Sequence, residues 1–132
     1  MKQLDEGKIH GYMALDGDTP IGWCNADNIE CYAKNDFKFV PVFARENARG
    51  KTMAVVCFTV APEYRGKGVA LALLEHVLTD ARAKGYAFVE GYAKILENGP
   101  LYDFTGPIHL YKRAGFIEAA RVDDTAVMRR AL

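Results

Sequence analysis

The sequence predicts a single α/β domain built around a mixed β-sheet, and three observations indicate this class. Residues 52–60 are apolar at nearly every position, as a strand buried on both faces requires. Residues 69–81 repeat apolar side chains at helical spacing, and residues 9–15 and 21–25 flank a short polar turn. With 132 residues the chain can bury one core but not two, so residues 1–132 are expected to form one domain.

The first third of the chain predicts a hairpin followed by an irregular segment. Residues 2–7 have the pattern of the last turns of a helix that Gly7 ends. Residues 9–15 and 21–25 form two strands joined by the Asp-Gly-Asp-Thr turn at 16–19. Residues 28–50 are polar and contain Pro41, which favours a short helix and a loop near the mouth of a site.

The remainder alternates strands and helices. After the buried strand at 52–60 and a glycine-rich turn comes a helix, which Lys84-Gly85 ends. Residues 86–92 form the next strand, and residues 107–114 form a short helix. A closing hairpin pairs 116–121 with 126–130 around a turn at 122–125. The predicted order is β-β-β-α-β-α-β-β.

Composition excludes several function classes. Seventeen basic and seventeen acidic side chains cancel, so no strong field is expected that would hold nucleic acid or an anionic membrane. The apolar runs are far shorter than the roughly 20 residues that span a bilayer. The first residues lack the apolar core of a signal peptide. We therefore expect a cytoplasmic protein without nucleic-acid or membrane partners.

The cysteines predict neither a disulfide framework nor a metal site. Their number is three, which is odd, and no two of them lie at metal-binding spacing. Cys57 is expected in the core, because a free cysteine behaves as a small apolar side chain. Cys24 stands beside Trp23 at a strand end and could face a cleft. We expect all three to be reduced and the protein to bind no metal.

The glycine-rich turn between the buried strand and the helix predicts an anion site. Its sequence is Arg65-Gly66-Lys67-Gly68-Val69-Ala70. Backbone N–H groups from about Gly66 to Ala70 can converge on phosphate oxygens at the positive end of the helix. A Walker loop is excluded, since the chain has no serine and no Gly-x-x-x-x-Gly-Lys-Ser/Thr, and the third glycine of a dinucleotide fingerprint is absent. Arg65 and Lys67 either add positive charge or are solvated turn residues.

These motifs resemble the GNAT superfamily of acyl-CoA-dependent N-acetyltransferases. The turn fits Arg/Gln-x-x-Gly-x-Gly/Ala within residues 57–70, which resemble the family's central motif. Leu-Tyr-Lys-Arg-Ala-Gly-Phe at 110–116 resembles its second motif. Residues 11–18 and 21–26 resemble the second and third strands of a poorly characterised GNAT subgroup. The resemblance covers roughly residues 9–128.

The resemblance implies a GNAT-like fold with splayed central strands and acetyl-CoA as cosubstrate. A kink before Pro62 would part the sheet there. Backbone groups of Phe58 and Val60 would then pair with the pantetheine arm as if it were an extra strand. The pyrophosphate would lie on the N–H groups of the glycine turn. The implied cofactor-binding residues are Phe58, Thr59, Val60, Arg65, Gly66, Lys67, Gly68, Val69 and Ala70.

The resemblance also implies catalytic residues. Tyr111 occupies the place of the family's tyrosine that protonates the leaving thiolate, with aromatic packing as the alternative role. The Phe58 N–H would stabilise the oxyanion. The resemblance names no base. Glu90 is the candidate from its own position, because it precedes Gly91 on a strand near the point where the sheet opens; a carboxylate paired to Arg or Lys is the alternative, and Asp103 is a rival. The three histidines are expected to be structural, with His76 on an exposed helix face. An acceptor pocket could be lined by Trp23, Tyr92, Tyr102 and Phe104.

One departure from the family keeps two functions open. GNAT domains usually begin with a strand and two helices, and this chain is expected to lack most of that region. The first function is transfer of an acetyl group from acetyl-CoA to a primary amine of a small molecule or peptide, by direct attack in a ternary complex. The alternative is a catalytically weak or inactive protein that binds acyl-CoA. Apolar surface left uncovered by the missing helices predicts a homodimer.

Overall fold

A computed structural model describes residues 2–6, 9–30, 51–94, 108–122 and 124–132. Within these segments, seven strands form one sheet in the order β1-β2-β3-β4-β5-β7-β6. The strands are β1 Lys2–Glu6, β2 Ile9–Asp16, β3 Thr19–Asn28, β4 Thr52–Val60, β5 Phe88–Lys94, β6 Ile117–Val122 and β7 Thr125–Ala131. The helices whose full extent is described are α1 Val69–Ala83 and α2 Ile108–Arg113, with a 3₁₀ turn at Pro62–Tyr64.

The sheet is mixed because one central pair is parallel. β4 and β5 run parallel, and every other neighbouring pair of these strands is antiparallel. Parallel strands need a long crossover, and α1 supplies it between β4 and β5. The start of α1 and the carboxyl-terminal half of β4 therefore lie at the same end of the sheet.

α1 and α2 both pack on one face of the sheet. α1 buries one stripe of side chains, at Leu73, Leu74, Val77, Leu78 and Ala81. α2 contributes Leu110 and Tyr111 to the same core cluster. A Cβ built on Gly22 would lie 2.7 Å from a methyl carbon of Val69 and 3.3 Å from one of Leu73. The glycine in β3 therefore lets the first turn of α1 press closely against the sheet.

The predicted helix at 2–7 is wrong. Residues 2–6 form β1, which pairs antiparallel with β2 from Lys2↔Met13 to Glu6↔Ile9. A helical stretch this short forms too few hydrogen bonds to offset its nucleation, whereas the edge of β2 offers a full set of backbone partners. The sequence predicted that most of the strand and two helices that usually precede the hairpin would be missing. Of these, the strand is present as β1.

The other predicted elements in the described residues are confirmed, with shifted ends. The buried strand at 52–60 has the predicted bounds, and the hairpin of β2 and β3 turns between Asp16 and Thr19. β5 begins two residues later than predicted and extends two residues further. The short helix and closing hairpin are present. Most of the predicted irregular segment, residues 31–50, lies outside the described residues.

Membrane-spanning helices and metal-binding clusters are both absent from the described segments. None of their helices combines the length and the apolar character needed to cross a bilayer. None of their His, Cys, Asp and Glu side chains form a group of three or more suited to hold a metal ion.

Candidate functional site

A β-bulge interrupts β4 halfway along its length. Asn25 of β3 pairs with Cys57, while the next residue, Ala26, pairs with Val55, so Val56 is an extra residue in β4. An extra residue reverses the alternation of side chains beyond it. Val55 and Phe58 both join the core under the helices. Cys57, expected in the core, is therefore turned to the opposite face and is only partly buried.

The central strands separate immediately beside this bulge. Parallel pairing of β4 with β5 runs from Thr52↔Phe88 to Val55↔Gly91 and ends there. Both strands continue, β4 to Val60 and β5 to Lys94. An opening therefore lies between the last residues of the two strands, and the predicted splay of the central strands is present. It begins beside the bulge at Val56, whereas the sequence predicted a kink before Pro62.

Hydrogen-bond directions place the backbone of Phe58 and Val60 toward this opening. The Ala61 N–H donates to the Ile21 carbonyl of β3 at 2.8 Å. Antiparallel pairing alternates between residues that face the partner strand and residues that face away. Counting back from Ala61, the backbone groups of Phe58 and Val60 point away from β3. On that side the Val60 carbonyl accepts a hydrogen bond of 3.1 Å from Arg65 Nε.

The glycine turn joins β4 to α1 and exposes the start of the helix. Gly66 and Gly68 have φ of 76° and 83°, a left-handed backbone that favours glycine. The Ala72 N–H donates to the Gly68 carbonyl at 3.0 Å, so the amides from Gly68 to Leu71 have no partner within the helix. Gly68 supplies no side-chain cap, and the first turn of α1 has no acidic residue. The positive end of α1 is thus not neutralised by its own side chains.

Positions 66 and 68 favour glycine because of their positive φ angles and not because of crowding. A Cβ built on Gly66 or on Gly68 meets no atom within 4 Å. Protein atoms therefore leave open space over the turn, and only the positive φ disfavours other residues. A ligand that lies against these amides can occupy that space.

Side chains of the turn anchor it to its neighbours. Arg65 holds the end of β4 through the bond to Val60, and the Tyr64 hydroxyl donates to Asp16 Oδ2 at 2.5 Å. The Lys67 ammonium lies 5.7 Å from the centre of the Tyr64 ring. The hydrogen bond to Asp16 raises the pKa of Tyr64. These contacts fix the turn against the β2–β3 hairpin and leave both cations at its rim.

Tyr111 lies over the point at which β4 and β5 separate. Its side chain is fully buried, and its ring meets those of Phe58 and Phe116 edge to face at centroid distances of 6.4 Å and 5.3 Å. A Cβ built on Gly91 would lie 2.5 Å from the Tyr111 hydroxyl oxygen. Tyr111 therefore packs against aromatic neighbours, as its alternative role predicted, and its hydroxyl also lies beside the opening.

Glu90 lies on the face of β5 opposite Tyr111 and is fully buried. Arg129, directly across on β7, approaches its Oε2 at 2.5 Å with both Nε and a terminal nitrogen. The Tyr92 hydroxyl donates to Oε1 at 3.2 Å. The ion-paired carboxylate that the sequence left as the alternative is thus present. Arg129 was not singled out, because the register of strands 86–92 and 126–130 could not be obtained from the sequence.

The remaining candidates have different surroundings. Cys24 is fully buried under the helices, and this burial raises the pKa of its thiol. Trp23 is partly exposed and pairs across β3 and β4 with Thr59, which is exposed. His76, expected on an exposed face, is partly buried against the Tyr12 ring, and His109 is exposed. Asp103, Tyr102 and Phe104 lie outside the described residues, as does the side chain of His10.

Comparison with protein families gives one match. A model of the acetyltransferase (GNAT) family matches residues 2–116, which include the bulged strand, the glycine turn and α2. No curated protein sequence matches the chain significantly.

Comparison with solved structures gives many matches to the fold. The GNAT domain of S. lividans PAT superposes with a TM-score of 0.64 at 21% identity, over 95% of this chain and 61% of that one. The ribosomal-protein-S18-alanine N-acetyltransferase of Escherichia coli gives 0.61 at 16% identity, over 96% and 71%.

A third structure is the PaiA N-acetyltransferase of Thermoplasma acidophilum in complex with coenzyme A. It gives a TM-score of 0.61 at 15% identity, over 91% of this chain and 58% of that one. At these identities the structures support the fold, and this chain spans 58% and 61% of the length of two of them.

Proposed function

This chain belongs to the acetyltransferase (GNAT) family, and from that premise we propose that it transfers an acetyl group from acetyl-CoA to a primary amine. The observation that carries the proposal is the position of the Tyr111 hydroxyl. It lies over Gly91, the last residue of β5 that pairs with β4. β4 forms the other side of the opening and leads into α1, whose first turn has no acidic residue and no side-chain cap.

The described residues fit the phosphate and pantetheine parts of a CoA ester. The amides of Gly66, Lys67, Gly68, Val69 and Ala70 would hold the pyrophosphate at the positive end of α1. Phe58 and Val60 direct backbone groups toward the opening, with the exposed Thr59 between them, and would follow the pantetheine arm. Arg65 contributes by fixing the corner between β4 and the turn. When bound, the cosubstrate supplies an activated acyl thioester.

Each remaining step is assigned to a group of the chain. The Phe58 N–H would stabilise the negative charge that develops on the acyl oxygen when the amine attacks. The Tyr111 hydroxyl would give its proton to the departing sulfur, and the proton that the attacking nitrogen then loses would restore the hydroxyl through solvent. The attack is direct, with amine and thioester bound together, so that the acyl group is never attached to the protein.

The amine must lose a proton before or during attack, because an alkyl ammonium has a pKa of about 10.4 and no free lone pair. Glu90 was the candidate base. Its carboxylate is fully buried, and both of its oxygens are engaged by Arg129 and Tyr92. We therefore propose that Glu90 supports the wall of the opening, and its role as a base becomes the alternative that a variant can test.

Peptide and small-molecule amines both belong to the proposed acceptor class. The E. coli structural neighbour is named for an alanine of ribosomal protein S18, which supports the inclusion of peptides with a free N-terminus. Of the aromatic residues expected to line an acceptor pocket, Trp23 lies against Gly11 of β2 and Tyr92 is buried beside Glu90, so neither is assigned to the acceptor.

The test is acetyl transfer to a panel of small amines and peptides, measured as CoA thiol release and as acetylated product by mass spectrometry. We expect product with the native chain. Tyr111→Phe should lower kcat by ~10²-fold, the usual contribution of a general acid, without changing the Kd for acetyl-CoA. Tyr86→Phe is the matched control, because Tyr86 lies beyond the other end of α1.

The possible results separate the two functions. Binding of acetyl-CoA without transfer to any acceptor would favour the acyl-CoA-binding protein. If Tyr111→Phe turns over as fast as the native chain, Tyr111 is not the general acid, but the chain can still be an acetyltransferase.

A further inference from the structure

Gly91 stands inside β5, where its own backbone gives no reason for a glycine. It pairs with Val55 on one side and with Met128 on the other, as an ordinary strand residue does. Its φ is not positive, unlike that of the turn glycines Gly66 and Gly68. Glycine weakens a strand interior because it loses much chain entropy on folding and packs no side chain. The reason for the glycine must therefore lie in a neighbour.

That neighbour is Tyr111. A Cβ built on Gly91 would lie 2.5 Å from the tyrosine hydroxyl oxygen and closer still to ring carbons Cε1 and Cζ. Real Cβ atoms essentially never come within 3.0 Å of such atoms. The ring is fully buried and is flanked by Phe58 and Phe116, so it cannot move away without losing those contacts. Any side chain at this position must displace the tyrosine.

We propose that Gly91 is a positioning residue whose missing side chain forms the seat that holds the Tyr111 hydroxyl at the opening between β4 and β5. The inference rests on the proposed function, in which that hydroxyl protonates the leaving sulfur. Gly91 acts through Tyr111, and its effect is on the rate of the chemical step. The contacts proposed for acetyl-CoA are the backbone groups of Phe58 and Val60 and those of the turn at 65–70, none of which Gly91 supplies, so we expect the affinity for acetyl-CoA to stay unchanged.

A kinetic cycle tests the dependence on the hydroxyl. Gly91→Ala, Tyr111→Phe and the double variant are compared with the native chain, using acetyl-CoA and the best acceptor of the panel. We expect Gly91→Ala to lower kcat by ~10-fold or more, as small displacements of a reacting group do, with an unchanged KM for acetyl-CoA. In the Tyr111→Phe background, Gly91→Ala should alter kcat by less than about 3-fold, because the two substitutions remove the same interaction, that of the Tyr111 hydroxyl with the leaving sulfur.

Gly11→Ala is the matched control. A Cβ on Gly11 would also overlap its neighbours, namely the Cys24 carbonyl oxygen and the Trp23 ring, but it would not touch Tyr111. This variant should lose stability with little change in kcat. An equal loss of kcat in both glycine variants, or an undiminished effect of Gly91→Ala in the Tyr111→Phe background, would overturn the inference.

A stability cycle provides a readout that needs no turnover. Gly91→Ala should lower Tm in the native background and should have little effect, or raise Tm, in a Tyr111→Leu background, where the ring is gone. If Gly91→Ala alone does not fold, recovery of the fold in the Gly91→Ala/Tyr111→Leu double variant supports the seat. An equal loss in both backgrounds, or no recovery, contradicts it. Native turnover in Tyr111→Phe would instead refute the proposed acid, and the stability cycle would still decide whether the seat exists.

Discussion

At the residue scale, Glu90 shows how a buried charge can be held beside a candidate site. Arg129 contacts one carboxylate oxygen and the Tyr92 hydroxyl donates to the other, while the Arg129 guanidinium lies 5.2 Å from the centre of the Phe88 ring. Removal of one member of a buried ion pair is costly, because the other charge stays in a poorly solvated place. The arrangement therefore favours a fixed position for Glu90 and Tyr92 over proton exchange with a substrate.

Glu90→Gln separates the supporting role from the catalytic one. With a supporting role, we expect the free energy of unfolding in urea to fall by about 3 kcal/mol, since Arg129 loses its charged partner. The acidic limb of the pH dependence of kcat should keep its shape. A variant of native stability whose kcat is low and whose acidic limb is lost would instead identify Glu90 as the base.

At the element scale, one polar contact ties β2 to α1. The Tyr12 hydroxyl donates to Asp80 Oδ2, and Asp80 also forms an ion pair of 3.0 Å with Lys84 one turn further along the helix. Burial and this hydrogen bond raise the pKa of Tyr12 far above its ordinary range. Burial alone would raise the pKa of Asp80, but the contacts with Tyr12 and Lys84 lower it overall. The contact therefore stabilises the fold only while Asp80 is ionised.

Tyr12→Phe should remove this contribution in a pH-dependent way. We expect the variant to lose about 1.5 kcal/mol of unfolding free energy at neutral pH, the usual size for a hydrogen bond to a charged group. Because the folded pKa of Asp80 is depressed below 3.8, the difference should persist above that value and shrink as the pH falls through the folded pKa. Urea unfolding at neutral and acidic pH measures it. A difference that grows on acidification would contradict the assignment.

The elements also show which parts of the structure the sequence could predict. The apolar run at 52–60 and the glycine turn have strong local patterns, and β4 and the start of α1 were obtained from them. The bulge at Val56 and the pairing of Glu90 with Arg129 depend on register between distant strands, which the local pattern of residues does not encode. β1 was missed because five residues carry too weak a periodicity to separate a strand from a helix end. The packing of Tyr111 against Gly91 likewise depends on how α2 docks on β5, which no local pattern specifies.

At the scale of the whole molecule, the order of the strands concentrates the site at one end of the sheet. The crossover through α1 brings the glycine turn, the end of β4 and the opening beside β5 together. β6 lies at the edge of the sheet and carries Ile117, whose side chain is 69% exposed. In the described segments Leu15 is the other large apolar residue that is exposed, and it is less exposed than Ile117. Exposed apolar groups on an edge strand favour association between chains.

We therefore retain the homodimer as a prediction and locate its contact at β6. Sedimentation of the native chain should show a dimer, and Ile117→Lys should shift it toward monomer, since a charged side chain on an edge strand opposes pairing. Leu15→Lys is the control, because Leu15 is also exposed but lies in β2. A native chain that is monomeric at all concentrations would exclude this prediction, as would a dimer that Ile117→Lys leaves intact.

The most direct measurement is acetyl-CoA binding by calorimetry, with the native chain compared with Gly68→Glu and Gly85→Glu. Both glycines have a positive φ and open surroundings, and they flank opposite ends of α1. A carboxylate at position 68 would occupy the space over the amides, whereas one at position 85 lies far from them. We expect saturable binding that Gly68→Glu abolishes and Gly85→Glu preserves. Absence of binding by the native chain, or equal binding by all three proteins, would contradict this expectation.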